Sequence, residues 1–238
     1  MTSPAASPFD LSHRTAVVTG GSRGIGAGIA LALRDAGAEV ITVARSDADL
    51  SADLSTAAGA LDLVAQLEGR VVDILINNAG MAHRNPAELH TTEQWDETLA
   101  VDLTAPFLLA RELGGRMLDR GHGKIVFLAS MMTWQGGRNV VSYAAAKSGV
   151  AGVVHALANE WADRGVNVNA IAPGYIETDL TSGSHADPAR REAFRERIPA
   201  GRWGTGADLA GATVFLSSPA SDYVSGVVLP VDGGWLGR

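Results

Sequence analysis

Three residues in the middle of the chain have the types and the spacing needed for proton transfer. Ser130 follows an apolar run, Tyr143 comes thirteen residues later, and Lys147 follows four residues after that. On a helix, positions i and i+4 share a face, so Tyr143 and Lys147 would point into one site. A phenol beside an ammonium, with a hydroxyl opposite, could exchange a proton with a carbonyl or an alcohol. A half-buried tyrosine and a solvated lysine would have the same spacing, so other parts of the chain must decide.

A glycine cluster near the N-terminus predicts a phosphate-binding turn. The β-branched run at residues 15–18 leads into TGGSRGIG at residues 19–26, and apolar residues then recur at helical spacing as far as Gly37. Glycines permit a tight turn and a close approach of the backbone to a pyrophosphate, and the helix N-terminus offers unpaired N–H groups. An ordinary glycine-rich turn is the alternative interpretation of this segment.

The remaining elements would bring these residues together at one edge of a sheet. After a second strand at residues 39–44, strands are predicted at residues 72–76, 124–129, 166–171 and 227–231. Helices are predicted at residues 56–67, 91–118 (with a kink at Pro106), 142–164 and 208–216, with a helical patch at 189–197. This alternation, with no linker or repeat, predicts one doubly wound α/β Rossmann domain with a mostly parallel sheet at residues 9–238. Residues 1–8 are expected to form a disordered tail, and residues 180–203 a mobile substrate lid.

The segment after the second strand is too short for a normal crossover. Residues 45–55 leave no room for a helix, whereas a parallel crossover needs about a dozen residues or more. We therefore expect the second crossover helix to be shortened or missing. A loop with a stub of strand near residues 52–54 would replace it, and the sheet edge there would be shortened.

Composition argues against several classes of function. The chain has 238 residues, of which 46% are hydrophobic and 19% charged, and its net charge of −7 argues against a nucleic-acid or anionic-membrane partner. It has no cysteine and its histidines lack ligand spacing, so neither a disulfide framework nor a metal site is expected. No signal peptide or membrane-spanning run is recognisable, which favours a cytoplasmic protein.

Five motifs together resemble the short-chain dehydrogenase/reductase family. They are Thr19-Gly20-xxx-Gly24-x-Gly26, Asn77-Asn78-Ala79-Gly80, Ser130, Tyr143-xxx-Lys147 and Pro173-Gly174, in the order and spacing of that family. The resemblance covers roughly residues 11–238. It implies an NAD(P)-dependent oxidoreductase that moves a hydride between C4 of nicotinamide and a carbonyl carbon. It also implies a homotetramer formed through the long helices and the C-terminal segment.

The resemblance implies a role for each of these residues. Tyr143 would exchange the substrate proton, with its phenolate favoured by Lys147 and the positive nicotinamide ring. Ser130 would hold the substrate oxygen, and Lys147 would also bind the nicotinamide ribose. The implied cofactor-binding residues are Gly20, Ser22, Arg23, Gly24, Ile25, Gly26, Arg45, Asp53, Leu54, Asn77, Ala79, Gly80, Tyr143, Lys147, Pro173, Gly174, Ile176 and Thr178.

One position departs from the family pattern. The fourth catalytic residue of the family is usually an Asn on the long central helix, and the matching residue here is Asp102. A role of its backbone carbonyl would survive the change. A carboxylate side chain near Lys147 would instead offset the lysine charge and weaken its effect on Tyr143. We expect activity to persist, with a pH optimum that is shifted upwards.

The end of the second strand favours NADP(H), with NAD(H) as the alternative. NAD-dependent enzymes commonly place an acid there for the ribose 2′-hydroxyl. This chain has Ala44 and Arg45, with Arg23 in the glycine loop, and two arginines suit a 2′-phosphate. Asp47 and Asp49 follow closely, however, and keep the NAD(H) alternative open.

The second half of the chain resembles the branch of the family that acts on sugar acids, which includes 2-deoxy-D-gluconate 3-dehydrogenases and 2-dehydro-3-deoxy-gluconate-type enzymes. The segments that carry this resemblance are SYAAAKSGVAGVVHALANEWA, NVNAIAPGY, IPAGRWG, ASDYVSG and VDGGWL. They are partly shared with gluconate 5-dehydrogenases and 3-oxoacyl-carrier-protein reductases, and the latter activity is the main alternative. A dinucleotide-sensing protein without catalysis is a more remote one. Candidate substrate-binding residues are His83, Arg84, Trp134, Gln135 and Arg138, each of which could also be an ordinary solvated or core residue.

Overall fold

Seven parallel strands form one sheet in a computed structural model that describes residues 7–178 and 188–238. The strand order is β3-β2-β1-β4-β5-β6-β7, so the chain reverses direction across the sheet between β1 and β4. The strands are β1 (Thr15–Thr19), β2 (Glu39–Ala44), β3 (Leu50–Ser51), β4 (Ile74–Asn77), β5 (Gly123–Leu128), β6 (Val166–Pro173) and β7 (Val228–Val231).

Helices cover both faces of this sheet, as predicted for a doubly wound fold. They are α1 (Gly24–Asp35), α2 (Ala57–Gln66), α3 (Thr92–Leu99), α4 (Ala105–Arg120), α5 (Val141–Trp161), α6 (Pro188–Arg197) and α7 (Ala210–Ser217). α1 and α7 pack on one face, whereas α2, α4 and α5 pack on the other. The central strands are therefore buried on both faces, which explains the apolar runs in β4 (ILIN) and β5 (GKIVFL); β6 is buried throughout although it contains Asn167 and Asn169.

Strand register brings the predicted motifs to one edge of the sheet. Val18 pairs with Ile76, and Asn77 pairs with Phe127, so β1, β4 and β5 end side by side. In open parallel sheets, ligands bind outside the carboxyl ends of the strands where the strand order reverses. The glycine loop follows β1, and Asn78 follows β4, so both flank this reversal.

The predicted absence of a second crossover helix is confirmed, because only residues 45–49 connect β2 to β3. The strand stub lies at Leu50–Ser51 rather than near residues 52–54, with Val43 paired to Leu50. Asp49 closes this connection, since its carboxylate accepts hydrogen bonds from the amide (2.8 Å) and hydroxyl (2.7 Å) of Thr42. The Asp49 carboxylate thus accepts the hydrogen bond of a backbone amide in β2 that has no partner in the short strand β3.

The long central helix differs from the prediction of a simple kink at Pro106. A π-helical turn, Ala100–Thr104, separates α3 from α4, and Pro106 lies in the first turn of α4. Proline has no N–H for the carbonyl four residues before it, so the chain there leaves the regular helical pattern. Asp102 lies in the π-helical turn and is completely buried.

Two other predicted helices are shorter than expected. α5 ends at Trp161, and a 3₁₀ turn (Ala162–Arg164) continues to Gly165, which has a φ of 80°. The predicted 208–216 helix is a 3₁₀ turn (Gly206–Leu209) followed by α7. Neither change moves a residue at the carboxyl edge of the sheet.

Both predicted flexible segments fall partly outside the described residues. Residues 1–6 of the expected tail and residues 179–187, which include most of the first half of the expected lid, are not described. Pro8, at the end of the expected tail, accepts a hydrogen bond from the Ala220 amide (2.9 Å). Within residues 7–178 and 188–238, no helix is both long enough and apolar enough to cross a lipid bilayer.

Replacement of Asp49 by Ala is expected to lower the free energy of unfolding by about 1 kcal/mol, because the Thr42 groups lose their acceptor. Hydrogen bonds from Thr42 lower the pKa of Asp49. The stability that the ionised Asp49 contributes should therefore be complete above the ordinary carboxyl pKa of about 3.9. It should disappear as pH falls through the lower pKa that Asp49 has in the folded protein. Urea unfolding of wild type and variant across this range measures it. Asp49→Asn, which keeps one acceptor oxygen, should lose less; equal losses at acidic and neutral pH would contradict the assignment.

Candidate active site

The glycine loop adopts a turn that only glycine permits at several positions. Gly20 and Gly24 have positive φ values of 63° and 54°. A Cβ atom on Gly26 would lie 2.0 Å from the carbonyl oxygen of Gly20. Side chains at these positions would therefore strain or open the turn, and their absence leaves the backbone accessible to a ligand.

The Asn-Asn-Ala-Gly segment after β4 holds this loop in place. The Asn78 side-chain amide donates to the carbonyl oxygens of Thr19 (2.8 Å) and Gly20 (3.1 Å). In return, the Thr19 hydroxyl accepts from the amides of Asn78 and Ala79, both at 3.0 Å. Sequence reasoning included Asn78 in a motif but not among the site residues. Its position directly after a strand end next to β1 was the available signal.

The residues around the loop fit a dinucleotide. The N-cap of α1, Arg23, makes no side-chain cap hydrogen bond, so the first-turn amides and the positive end of the helix dipole remain available to a pyrophosphate. Thr178, from the segment after β6, faces the same loop, since a Cβ atom on Gly24 would lie 3.6 Å from its methyl carbon. Gly174 packs so closely on Asp232 that a Cβ atom would lie 2.6 Å from the Asp232 Cα. Ile176, which follows, is buried.

An open cleft of about 510 Å³ lies between the glycine loop and the β2–β3 connection. Asp49, which lines it, is already bound to Thr42 and lies 3.9 Å from Arg34. Arg23 and Arg45 are both exposed on this side of the sheet. Hydrogen bonds from Ser55 lower the pKa of Asp53, and the charge of Arg45 adds to the effect. Leu54, next in the chain, is buried.

Ser130, Tyr143 and Lys147 converge at the carboxyl end of β5. Ser130 lies two residues after the end of β5, and its hydroxyl lowers the pKa of Tyr143 on α5. The Lys147 ammonium is buried, donates to the Leu128 carbonyl at 2.8 Å, and lies 5.5 Å from the centroid of the Tyr143 ring. Tyr143 itself is half-buried and can be reached by a ligand.

Hydrogen bonds fasten the Ser130 turn to the helix that carries Tyr143. The Thr133 hydroxyl donates to the Lys147 carbonyl at 3.0 Å, and the Ser148 hydroxyl donates to the carbonyls of Met132 and Thr133. Ser130 and α5 are thereby held as one unit. Sequence analysis did not single out Thr133 or Ser148, because two hydroxyl residues at this separation form no recognisable motif.

Asp102 lies directly against Lys147. Its Oδ1 is 2.9 Å from the Lys147 Nζ, as an ion pair rather than a well-directed hydrogen bond, and its Oδ2 accepts from the Met81 amide at 2.9 Å. A Cβ atom on Gly80 would lie 2.8 Å from Oδ1. Gly80 therefore leaves the room that the carboxylate occupies. The one residue that departs from the expected pattern is in contact with the lysine.

Burial and charge shift all three of these groups. Burial raises the pKa of Asp102, against the opposing charge of Lys147 and the Met81 amide. Burial lowers the pKa of Lys147, but the charges of Asp102 and Tyr143 outweigh it, and the net shift is upwards. Burial also raises the pKa of Tyr143, opposed by Lys147 and supported by Asp102. The phenol is therefore protonated at neutral pH.

Of the candidate substrate residues, Arg84 is the one whose positive charge affects the pKa of Tyr143, which it lowers. The residues on either side of Arg84 are anchored by hydrogen bonds. His83 Nε2 lies 2.8 Å from a Glu97 carboxylate oxygen, and the Asn85 amide donates to the Asn139 carbonyl at 3.1 Å.

The other candidates are placed differently. Gln135 has its side-chain oxygen bound to the Trp235 indole N–H at 3.0 Å. Trp134 is 51% exposed, so it is not a core residue. Arg138 is exposed as well. No described contact brings any of these three to Tyr143.

An aromatic cluster anchors the described part of the expected lid. Tyr175, Phe194, Trp203 and Trp235 have ring centroids 4.3 to 6.1 Å apart. Phe194 belongs to α6, so these rings join that helix to the C-terminal segment and to the segment after β6. The sequence predicted the lid but not this anchor, because the four residues are separated by up to sixty positions.

Comparison with known sequences agrees with this geometry. The sequence model of a protein family described as enoyl-(acyl carrier protein) reductase matches residues 20–236. The chain belongs to the short-chain dehydrogenase/reductase family. The resemblance drawn from five motifs is therefore confirmed over nearly the whole length.

Individual relatives of this short-chain dehydrogenase/reductase are similar from end to end. The 2-dehydro-3-deoxy-D-gluconate 5-dehydrogenase of Bacillus subtilis (strain 168) is 46% identical over 247 residues, which cover 97% of each chain. The enzyme of the same name from Escherichia coli (strain K12) is 42% identical and covers 98% of this chain and 99% of its own. A crystal structure described as a candidate NAD(P)-dependent gluconate 5-dehydrogenase from Beutenbergia cavernae, with NADP bound at low occupancy, has a TM-score of 0.95 and 46% identity. It covers 98% of this chain and 100% of its own.

Replacement of Gly26 by Ala is expected to weaken dinucleotide binding about tenfold or more, because the added Cβ would collide with the Gly20 carbonyl oxygen. Titration of NADPH fluorescence measures the affinity, and thermal unfolding reports on the fold. Gly115→Ala, on α4, is the matched control, since no atom lies within 4 Å of the place that its Cβ would occupy, and its affinity should equal that of wild type. Equal affinity for Gly26→Ala would show that the loop does not bind the dinucleotide.

Proposed function

We propose that this protein is an NADP(H)-dependent oxidoreductase that interconverts a secondary alcohol and a ketone on a sugar acid, in the manner of a 2-deoxy-D-gluconate 3-dehydrogenase or a 2-dehydro-3-deoxy-D-gluconate 5-dehydrogenase. The observation that carries this proposal is the convergence of Ser130, Tyr143 and Lys147 beside a glycine loop that fits a dinucleotide. End-to-end similarity to enzymes named for sugar acids supports the substrate class.

Tyr143, Ser130 and Lys147 have different roles in proton transfer. When bound, NADPH supplies a hydride from C4 of its nicotinamide to the carbonyl carbon. In ketone reduction, Tyr143 gives its phenol proton to the carbonyl oxygen, while the Ser130 hydroxyl donates a hydrogen bond to the same oxygen and fixes its position. In alcohol oxidation the same proton returns to the Tyr143 phenolate. Lys147, with an ammonium near the Tyr143 ring, stabilises the phenolate and is placed to bind the nicotinamide ribose.

The remaining residues that the family resemblance assigns to the cofactor have proposed roles. Asn77 is buried, and its side-chain amide donates to the Pro106 carbonyl at 3.2 Å, which steadies the end of β4. Ile176 would contact the nicotinamide ring and Thr178 its carboxamide. The glycine loop with Ser22 and Ile25 would hold the pyrophosphate, and Asp53 would lie near the adenine.

Two exposed arginines support NADP(H) over NAD(H). Arg23 follows Ser22, which lines the cleft beside the glycine loop, and Arg45 follows β2 directly; a 2′-phosphate bound there would need cations. Asp49, the acid that could instead bind a 2′-hydroxyl, has its carboxylate bound to Thr42. The similar structure from Beutenbergia cavernae, described with NADP, supports the same preference.

Arg45→Ala is expected to lower kcat/KM with NADPH about tenfold or more, because a charge-assisted hydrogen bond contributes about 1.5–3 kcal/mol. The value of kcat/KM with NADH should change little, since NADH lacks the 2′-phosphate that this side chain is proposed to bind. Steady-state kinetics with both cofactors measures the effect. Arg70→Ala removes an exposed arginine at the end of α2 and should leave both values unaltered. An equal loss with both cofactors would contradict the 2′-phosphate assignment.

Arg84 is the residue that we propose for the substrate carboxylate. It lies between His83 and Asn85, which are anchored by hydrogen bonds, and its positive charge lowers the pKa of Tyr143. In this proposal the same charge attracts an anionic substrate towards the phenol. The His83 Nε2 lies 2.8 Å from a Glu97 carboxylate oxygen, which would compete with a substrate anion for that ring. Arg138, Trp134 and Gln135 would then contribute to the rim of the pocket rather than to the anion site.

Arg84→Met is expected to raise KM for a sugar acid about tenfold or more, with a smaller effect on a neutral polyol or keto-sugar. The variant loses the charge but keeps an unbranched side chain. Initial rates with matched acidic and neutral substrates measure the difference. Arg84→Lys should recover part of the affinity, because it restores the charge without the bidentate geometry. An equal rise in KM for both substrate types would rule out a carboxylate contact.

A substrate panel tests the function as a whole. Sugar acids, keto-sugar acids and a 3-oxoacyl thioester are offered with each cofactor, and absorbance of the reduced nicotinamide is followed. Turnover of sugar acids supports the proposal. Turnover of the thioester alone would instead identify a 3-oxoacyl reductase, and dinucleotide binding without any turnover would favour a sensing protein.

We further propose a homotetramer in the cytoplasm. Trp95, Phe107 and Val141 lie on α3, α4 and α5 and are each exposed by more than a third, which is unusual for such large apolar side chains on neighbouring helices. Pairing of these helices between subunits would cover them. A cytoplasmic location follows from the cofactor, since cells keep their NADPH pool inside. Light scattering of the purified protein measures the mass of the assembly.

A further inference from the structure

The buried carboxylate of Asp102 belongs to a chain of contacts that ends at the catalytic phenol. Asp102 is 0% exposed, and its two oxygens contact Lys147 and the Met81 amide. Lys147 also donates to the Leu128 carbonyl, so its ammonium is held from two directions. Tyr143 lies on the same helix, with its ring 5.5 Å from the Lys147 nitrogen.

Four groups from four elements act on the Tyr143 hydroxyl. Lys147 on α5 and Arg84 on the loop after β4 contribute positive charge. Ser130, after β5, contributes a hydrogen bond. Asp102, in the π-helical turn, contributes negative charge. Both cations and the hydrogen bond favour the phenolate, whereas Asp102 and burial favour the neutral phenol.

We propose that Asp102 is a positioning residue, which holds Lys147 in a buried ion pair and keeps Tyr143 in its protonated form. At neutral pH, Tyr143 is therefore ready to donate a proton to a ketone rather than to accept one from an alcohol. The inference rests on the proposed oxidoreductase activity, and it concerns the direction and the pH range in which Tyr143 works. Asp102 itself touches neither substrate nor cofactor in this scheme.

The physical reason is the cancellation of charge at short range. An ammonium alone, buried near a phenol, favours the phenolate strongly, because the medium screens it poorly. With a carboxylate 2.9 Å from that ammonium, the pair has almost no net charge, and its field at the phenol is much weaker. Consistent with this, burial raises the pKa of Tyr143 and Asp102 raises it further, and Lys147, Ser130 and Arg84 do not reverse the shift.

A purely structural role for Asp102 is the competing explanation. Its Oδ2 anchors the Met81 amide, and loss of that contact could disturb the loop that carries Arg84. A structural role predicts lower stability and lower activity at every pH. The proposed role predicts instead that the ionisation of Tyr143 moves, and Asp102→Asn separates the two because an amide can still accept from Met81.

The first test measures Tyr143 ionisation directly and needs no substrate. The chain has only three tyrosines, at 143, 175 and 223. The ultraviolet titration of Tyr143→Phe records the phenolates of the other two, and subtracting it from the titration of the protein with Tyr143 leaves the signal of Tyr143. We expect the Tyr143 midpoint to lie at lower pH in Asp102→Asn than in wild type. Asp96→Asn, the matched control, removes the same charge from an exposed position on α3 and should leave the midpoint unmoved.

The second test uses rates in both directions. For alcohol oxidation below the midpoint, kcat/KM should rise in Asp102→Asn by about tenfold for each pH unit that the midpoint falls, because the phenolate fraction rises by that factor. For ketone reduction, the loss of activity at alkaline pH should begin at lower pH than in wild type. Asp96→Asn should reproduce both wild-type profiles.

Two results would overturn the proposal. One is an unchanged midpoint in a folded Asp102→Asn protein. The other needs wild type alone, and therefore holds even if the variant does not fold: ionisation of Tyr143 below the ordinary tyrosine value of about 10. If the substrate panel shows no turnover while the midpoint shifts as expected, the proposed function fails and the positioning role of Asp102 stands.

Discussion

The buried contact between Asp102 and Lys147 joins most of the parts on which this site depends. It connects the π-helical turn to α5, and through Leu128 and Met81 it reaches the ends of β5 and β4. A charge buried without its partner costs several kcal/mol, so neither residue can be moved alone without penalty. The lysine is therefore positioned by the fold itself, before any ligand contributes.

A second constraint is the edge at which the parallel strands end. Hydrogen bonds between Asn78 and the glycine loop fasten the end of β4 to the end of β1, on either side of the reversal in strand order. The glycine loop and the group formed by Ser130, Tyr143 and Lys147 are thus supported by neighbouring strands of one sheet. Because the strands are buried on both faces, a ligand at this edge can meet the ends of several of them at once.

The shortened connection between β2 and β3 shows how the fold tolerates the loss of a helix. The Asp49 carboxylate accepts the hydrogen bond of the Thr42 amide, which a longer β3 would otherwise cover, so this amide at the sheet edge is paired. The Oδ2 atom of Asp49 is thereby engaged within the fold, while the same side chain lines the cleft beside the glycine loop.

The sequence by itself determined the alternation of elements, the missing crossover helix, the glycine turn and the Tyr143–Lys147 pair, because each depends on periodicity or spacing between residues close in the chain. Only the tertiary structure decided the π-helical turn that buries Asp102, the effect of the Arg84 charge on Tyr143, and the hydrogen bond between Gln135 and Trp235. These contacts join residues tens of positions apart, and side-chain packing selects among several partners that local sequence leaves equally open. From the sequence we could infer that a carboxylate near Lys147 would offset the lysine charge. Only the packing of the π-helical turn against α5 placed the Asp102 carboxylate in contact with Lys147.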